Sequence, residues 1–219
     1  MHRLELVIFD CDGVLVDSER VTNRIFAAML NELGLSVTLE DMFARFVGHS
    51  MTQCLDLITE MLGRPPAANF LDEYRSRTRA ALETDLLPTP GVEEALERIR
   101  LPCCVASSGD HEKMRITLGI TGLWPRFEGR LFSVTEVPRG KPFPDVFLLA
   151  ASRLGANPSA CAVVEDAPVG VKAGVAAGMR VFGYAALTPA HRLLEAGAQV
   201  TFEHMRELPG LLDGEDAAR

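Results

Sequence analysis

The spacing of apolar residues changes twice along the chain, and each change predicts a different architecture. Leu4-Glu5-Leu6-Val7-Ile8-Phe9 is a short apolar run that ends at Asp10, the pattern of a buried strand. From Ser18 to about Thr84 the spacing turns helical. Ile25, Met29, Leu30 and Leu33 recur three and four residues apart and stop at Gly34, a C-terminal cap signal. Met42, Phe43, Phe46 and Val47 predict a second helix ending at Gly48. Cys54, Leu55, Ile58, Met61 and Leu62 predict a third, stopped by Gly63 and Pro65-Pro66, and Phe70 to Thr84 predicts a fourth. No strand candidate separates these helices.

The run Leu86-Leu87-Pro88-Thr89-Pro90-Gly91 breaks the chain, and helices then alternate with apolar strands. The predicted helices cover 92–100, 111–118, 144–154, 169–177 and about 189–196. The strands that follow them are Cys103 to Ala106, Leu131-Phe132, Cys161 to Val164, Arg180 to Gly183, and about Gln199 to Phe202. Such alternation predicts an α/β, Rossmann-like parallel sheet with helices on both faces. The helical block then reads as a small α-helical cap inserted after the first strand. The expected division is 1–16 and 86–213 for the core, 17–85 for the cap, and a frayed tail at 214–219. The cap is expected over the strand tips, hinged near Val16-Asp17 and between Asp85 and Pro90.

Composition narrows the partners. Of 219 residues, 47% are hydrophobic and 24% charged, an ordinary globular balance. Twenty-two basic against 30 acidic residues give a net charge of −8, which disfavours nucleic acid and anionic membrane. A small anionic substrate stays open, because one local lysine and a metal outweigh the global sign. The longest apolar run, Val146 to Ala151, is far too short to span a membrane. The opening MHRLELVIFDCDG carries acids where a signal peptide needs an apolar stretch. The five cysteines are odd in number and lack metal-like spacing, so reduced thiols and a cytoplasmic location are expected, with a monomer as the default.

In open α/β sheets ligands bind at the carboxyl ends of the strands. The first strand ends in Asp10-Cys11-Asp12-Gly13, two carboxylates crowded by a turn-forming glycine. The second ends in Ser107-Ser108-Gly109, whose hydroxyls and backbone N–H groups suit an oxyanion. The third leads to Arg139-Gly140-Lys141-Pro142-Phe143-Pro144-Asp145, where two prolines stiffen the chain after a lysine. The fourth ends in Glu165-Asp166 before Pro168 opens a helix. Taken singly, each tip is also ordinary turn or capping chemistry. Taken together, four carboxylates on one sheet edge repel unless a cation sits among them. Oxygen ligands point to a hard cation such as Mg²⁺. With Lys141, such a site accepts a phosphate dianion, the arrangement phosphoryl transfer needs.

The order DxDGVxxDS, ASSG, GKPxPD and EDxxxG resembles the haloacid dehalogenase superfamily, in particular the branch with small sugar phosphatases and β-phosphoglucomutase. The resemblance spans nearly the whole chain. It implies that Asp10 is the nucleophile forming an aspartyl-phosphate and that Asp12 is the general acid and base. It implies that Ser107 binds phosphoryl oxygens, with Ser108 and Gly109 beside it, and that Lys141 bridges phosphate and Asp10. Asp10, Asp166 and the backbone oxygen of Asp12 would hold Mg²⁺, with Glu165 adjacent. Dehalogenases of the superfamily generally lack the second acid, so Asp12 favours a phosphate substrate.

Two departures matter. In the mutase an Arg follows Gly-x-Ser in the cap and grips a second phosphate, whereas here Gly48-His49-Ser50 is followed by Met51. A thioether does not clamp a dianion, so hydrolysis of a monophosphate is favoured. Ala167 stands where many relatives carry Ser after the acid pair. His49, Ser50 and Gln53 fall at one helix start and are candidates for a sugar hydroxyl, against the plainer reading of a capping turn. Arg75, Arg77 and Arg79 do not share a helix face and read as solvated. The expectation is an Mg²⁺-dependent phosphatase acting on a small phosphorylated metabolite, a sugar or sugar-acid monophosphate. Its rivals are a phosphohexomutase and a non-catalytic binding module that keeps the fold.

Overall fold

A computed structural model of the chain describes residues 3–46 and 51–214. It divides into two compact units. One is built from the chain up to Asp17 and from Leu87 onward, the other from Ser18–Leu86.

The first unit holds six parallel strands: β1 Leu6–Phe9, β2 Cys103–Ser107, β3 Leu131–Ser133, β4 Cys161–Glu165, β5 Arg180–Tyr184 and β6 Val200–Phe202. Their order across the sheet is β3-β2-β1-β4-β5-β6. Between and after them, in chain order, run α5 Val92–Arg98, α6 His111–Ile120, α7 Trp124–Phe127, α8 Asp145–Arg153, α9 Pro168–Ala176, α10 Ala190–Glu195 and α11 Leu208–Asp213. The strands are near-continuous apolar runs because both sheet faces are covered. Leu6, Ile8, Cys104, Ala106 and Val163 pack with Val146, Phe147 and Ala150 of α8, Val171 and Ala173 of α9, and Leu193 of α10. The alternate residues of β1 point the other way. Phe9 there meets Phe127 of α7 edge-on, with ring centres 6.2 Å apart.

Register fixes which tips become neighbours. Val7 of β1 lies opposite Cys103 of β2 on one side and Ala162 of β4 on the other. The chain leaves β1 for β2 and β3, then returns to β4 on the opposite flank. The sheet therefore changes direction beside β1, where an α/β sheet opens a crevice at its carboxyl edge. At the point where the helical unit is inserted, Val16 bridges Pro88 and Asp17 N–H donates to the Leu87 carbonyl at 2.9 Å.

The second unit holds α1 Ser18–Glu32, α2 Leu39–Arg45, α3 Met51–Leu62 and α4 Phe70–Asp85. Its core gathers Phe26, Leu30, Met42, Phe46, Ile58 and Phe70. The Phe26 ring touches those of Phe46, Phe70 and Tyr74, with centres 4.9 to 5.8 Å away. Thr38 and Asp41 form a reciprocal capping box that starts α2, satisfying backbone donors that a helix leaves open. The Arg77 side chain reaches solvent as expected, and it also pairs with Glu32 at 2.6 Å and with Glu73, one turn back, at 2.5 Å. Met29 and Met42 are buried, and Met61 packs against the same core, as their spacing predicted.

Helix and strand bounds fall within one or two residues of the expectation at most ends. Two α-helices among the described residues were not predicted, α7 and α11. Each is four to six residues long and carries a proline in its first turn, too short for an apolar period to show. No helix among the described residues is long and apolar enough to cross a membrane.

All five cysteines are free and buried. Burial pushes the Cys103 and Cys161 thiols up to about 11, and those of Cys11 and Cys104 further. Since the thiolate is the reactive form, the native protein is expected to resist a disulfide reagent at pH 8 and to titrate five thiols after unfolding in urea. Rapid reaction of one thiol in the native state would contradict this packing.

Candidate active site

Asp10 follows β1 directly, and its N–H donates to the Val164 carbonyl of β4 at 2.9 Å. The ladder thus carries one residue past the strand and sets the Asp10 carboxylate beside the end of β4. Glu165 is the last residue of β4 and only 1% exposed. Between them stands Lys141. Its ammonium lies 2.5 Å from Asp10 Oδ1 and 2.6 Å from Glu165 Oε1, with the side chain 4% exposed. The loop that delivers it is held on both sides. Arg139 makes two bonds to Asp145, at 3.2 and 3.0 Å, and stacks over Phe143. The Lys141 ammonium also lies 4.9 Å from the centre of the buried Phe147 ring.

The electrostatics of this group follow from its burial. Loss of water pushes the Asp10 carboxyl up to about 7; Lys141 pulls it down, while Glu165 and Asp12 push it further up. Lys141 is held above its usual range. Burial works against the ammonium, but Asp10 and Glu165 together outweigh it. Glu165 is further oriented by the Ala167 N–H, which donates to Oε2 at 3.2 Å. A Cβ at Gly170 would overlap the Glu165 carboxylate, so the first turn of α9 must be glycine there for this carboxylate to fit.

Asp10, Glu165 and Asp166 form a carboxylate cluster in which one oxygen from each lies within 4.8 Å of the others. With Lys141 included, the group carries a net of two formal negative charges. An all-oxygen donor set with that charge fits a hard divalent cation such as Mg²⁺. Gly13 makes the approach possible. Its φ of 79° is left-handed, and a Cβ there would collide with the Asp166 carboxylate. Both Glu165 oxygens already accept N–H bonds, whereas the Asp12 side chain lies outside the three-carboxylate cluster.

Ser107 ends β2, is 1% exposed, and its hydroxyl accepts from the Gly109 N–H at 3.0 Å. Ser108 is exposed and Gly109 half-buried. His49 and Ser50 lie outside the described residues, and Gln53 is an exposed residue of α3. Asp10, Lys141 and the Glu165-Asp166 pair are thus brought together from three strand ends and loops far apart in sequence.

The sequence reading missed Lys113. It treated the site as four acids with one lysine, but Lys113 Nζ lies 2.6 Å from Asp12 Oδ2. The Lys113 ammonium is held above its ordinary value: burial opposes it, and Asp12 outweighs that. A signal existed in the sequence. Asp110 is the N-cap of α6, accepting from the Lys113 N–H at 2.8 Å, so Asp-x-x-Lys after a strand tip sets a lysine in the first turn above that tip. The reading also missed Ser133, whose buried hydroxyl donates to the Gly109 carbonyl at 2.8 Å.

Comparison with known proteins gives the same picture. A family model described as haloacid dehalogenase-like hydrolase matches residues 4–178. The chain is 32% identical to 6-phosphogluconate phosphatase of Escherichia coli K12 over 212 residues, covering 96% of each. It is 35% identical to hexitol phosphatase A of the same organism over 193 residues, covering 86% of each. Among solved structures, a haloacid dehalogenase-like protein of unknown function from Agrobacterium tumefaciens superposes with a TM-score of 0.89 at 34% identity, covering 96% of this chain and 98% of that one.

Removing the ammonium would strand two buried carboxylates. Lys141→Met is expected to cost about 3–5 kcal/mol of unfolding free energy in EDTA, read from urea denaturation at pH 7.5. A cost below about 1 kcal/mol would mean that the lysine is not the counter-charge of this core.

Proposed function

The chain belongs to the haloacid dehalogenase-like hydrolases and is a phosphoric monoester hydrolase, and from that premise we propose that it hydrolyses a phosphorylated sugar, sugar acid or alditol through an aspartyl-phosphate on Asp10. The observation that carries this reading is the Lys141 ammonium between Asp10 and Glu165, with Asp166 completing a carboxylate cluster. Asp10 is the nucleophile because it stands at the tip of the central strand, ion-paired and backed by the sheet. The lysine favours the ionised carboxylate and so opposes the burial that raises this carboxyl. The same ammonium is the natural partner for an incoming phosphoryl oxygen.

In the first half-reaction an Asp10 oxygen bonds to phosphorus. The ester P–O bond breaks, and the departing alkoxide takes a proton from Asp12. In the second, water attacks phosphorus, Asp12 takes the water proton, and the P–O bond to Asp10 breaks to release phosphate. Splitting one displacement into two is the gain of a covalent nucleophile. Ser107, whose hydroxyl lies at the tip of the neighbouring strand, donates to the transferring group, with the Ser108 and Gly109 backbone beside it. Asp10 and Asp166 would hold Mg²⁺ together with the Asp12 carbonyl, Glu165 lying next to them. When bound, that ion neutralises charge on the phosphoryl oxygens. The relatives named 6-phosphogluconate phosphatase and hexitol phosphatase support an open-chain polyol phosphate as the substrate class. Met51, where the mutase carries Arg, favours hydrolysis over phosphate migration.

The wild-type protein with Mg²⁺ is expected to release phosphate from 6-phosphogluconate or a hexitol phosphate. Asp10→Asn is expected to lower that rate by on the order of a thousandfold or more while leaving the fold intact by circular dichroism. EDTA is expected to stop turnover, with Mg²⁺ restoring it. Isomerisation of β-glucose 1-phosphate without free phosphate, or near wild-type activity of Asp10→Asn, would overturn the proposal.

A further inference from the structure

The two carboxylate oxygens of Asp12 are not equivalent. Oδ2 accepts a hydrogen bond from Lys113 Nζ at 2.6 Å. Oδ1 is buried and, among the described residues, meets no hydrogen-bond partner. An ammonium has three N–H donors and no acceptor, so a proton placed on Oδ2 would weaken the charge-assisted bond from Lys113, whereas a proton on Oδ1 leaves that bond in place. A proton carried by Asp12 therefore belongs on Oδ1. We infer that Lys113 is a positioning residue for phosphoryl transfer, reserving Oδ1 of Asp12 as the atom that gives and takes the proton. The inference rests on the reading of Asp12 as general acid and base.

The surroundings of Lys113 are built for this placement. Asp110 caps α6 and accepts from the Lys113 N–H at 2.8 Å, which fixes the residue in the first turn. Gly109 leaves room for its stem: a Cβ there would stand 3.1 Å from Lys113 Cδ and 3.5 Å from Ser107 Oγ. The turn ahead of the helix is itself tied down. Ser133 Oγ donates to the Gly109 carbonyl at 2.8 Å, and Glu136 accepts from the Ser133 N–H at 3.0 Å while pairing with His111 at 2.6 Å. A lysine used only for solubility has no need of such a seat.

The chemistry balances with Lys113 a spectator in charge. As the Asp10 oxygen bonds to phosphorus, the electron pair of the breaking ester bond goes to the alkyl oxygen, which takes the Oδ1 proton. As water then bonds to phosphorus, its proton goes to Oδ1, and the pair of the breaking bond returns to Asp10. The lysine keeps its three protons throughout and holds the carboxylate plane.

The test compares two leaving groups. A p-nitrophenolate leaves without a proton, whereas the sugar alkoxide of 6-phosphogluconate needs one. Lys113→Met is expected to lower kcat/KM for 6-phosphogluconate about 10- to 100-fold and for p-nitrophenyl phosphate by no more than about threefold. Lys113→Arg, which keeps a donor at Oδ2, is expected to recover most of the loss. Equal losses on both esters, a rise in KM alone, or an arginine variant as poor as the methionine one would overturn the inference and leave the phosphatase reading standing. A wild type inert on both esters with Mg²⁺ would sink that reading and the inference with it. Should Lys113→Met not fold, Lys113→Gln carries the same comparison.

Discussion

A lysine ammonium buried between two strand-end carboxylates is the constraint around which the α/β unit is organised. Taking Lys141, Asp10 and Glu165 out of water carries a desolvation cost of several kcal/mol per ion, recovered only if their geometry is tight. The geometry is tight because it is inherited from the sheet. Asp10 and Glu165 stand at the tips of two strands already paired by β-ladder bonds, so their separation is set by strand spacing. Lys141 arrives from the far flank, beyond the neighbouring strand, on a loop fixed by the Arg139–Asp145 pair. The aromatic ring of Phe147 beneath the ammonium belongs to the main core, so the buried charges and the hydrophobic packing share a wall.

That arrangement explains why glycine appears where it does. Gly13 and Gly170 are each pressed against a carboxylate, Asp166 in one case and Glu165 in the other. At both places a side chain would displace an acid from its position. The site is therefore specified as much by residues that leave space as by residues that fill it. Asp12 and Lys113 form a second ion pair next to the first, more exposed and built on a helix start rather than on the ladder. The two pairs differ on physical grounds: the Lys141 pair is almost fully buried, whereas the Lys113 pair is part-exposed and leaves one Asp12 oxygen without a hydrogen-bond partner among the described residues.

The helical unit follows a simpler logic. Its aromatic cluster around Phe26 and the buried Met42 and Ile58 make a core of its own, and its Arg77 bridges α1 and α4 at the surface. Helical spacing announced α1, α2 and α3, because each turns one apolar stripe to that core, whereas α4 buries little beyond Phe70. The partners of Arg77 were not legible for the same reason: spacing within a helix says which residues share a face, but not which acid a neighbouring helix brings alongside.

Much of the α/β unit was legible in order and type, since apolar runs bounded by glycine and proline leave few alternatives. So were the strand-tip acids, Ser107 and Lys141, because ligands in such sheets gather at one edge. Local chemistry thus determined which residues were candidates. Only the tertiary structure decided their partners: that Lys141 bridges Asp10 and Glu165, that Asp166 closes on Gly13, and that Lys113 meets the Asp12 side chain. The reason is that pairing depends on strand order and helix seating, which arise from contacts between residues a hundred positions apart. No local period encodes those contacts.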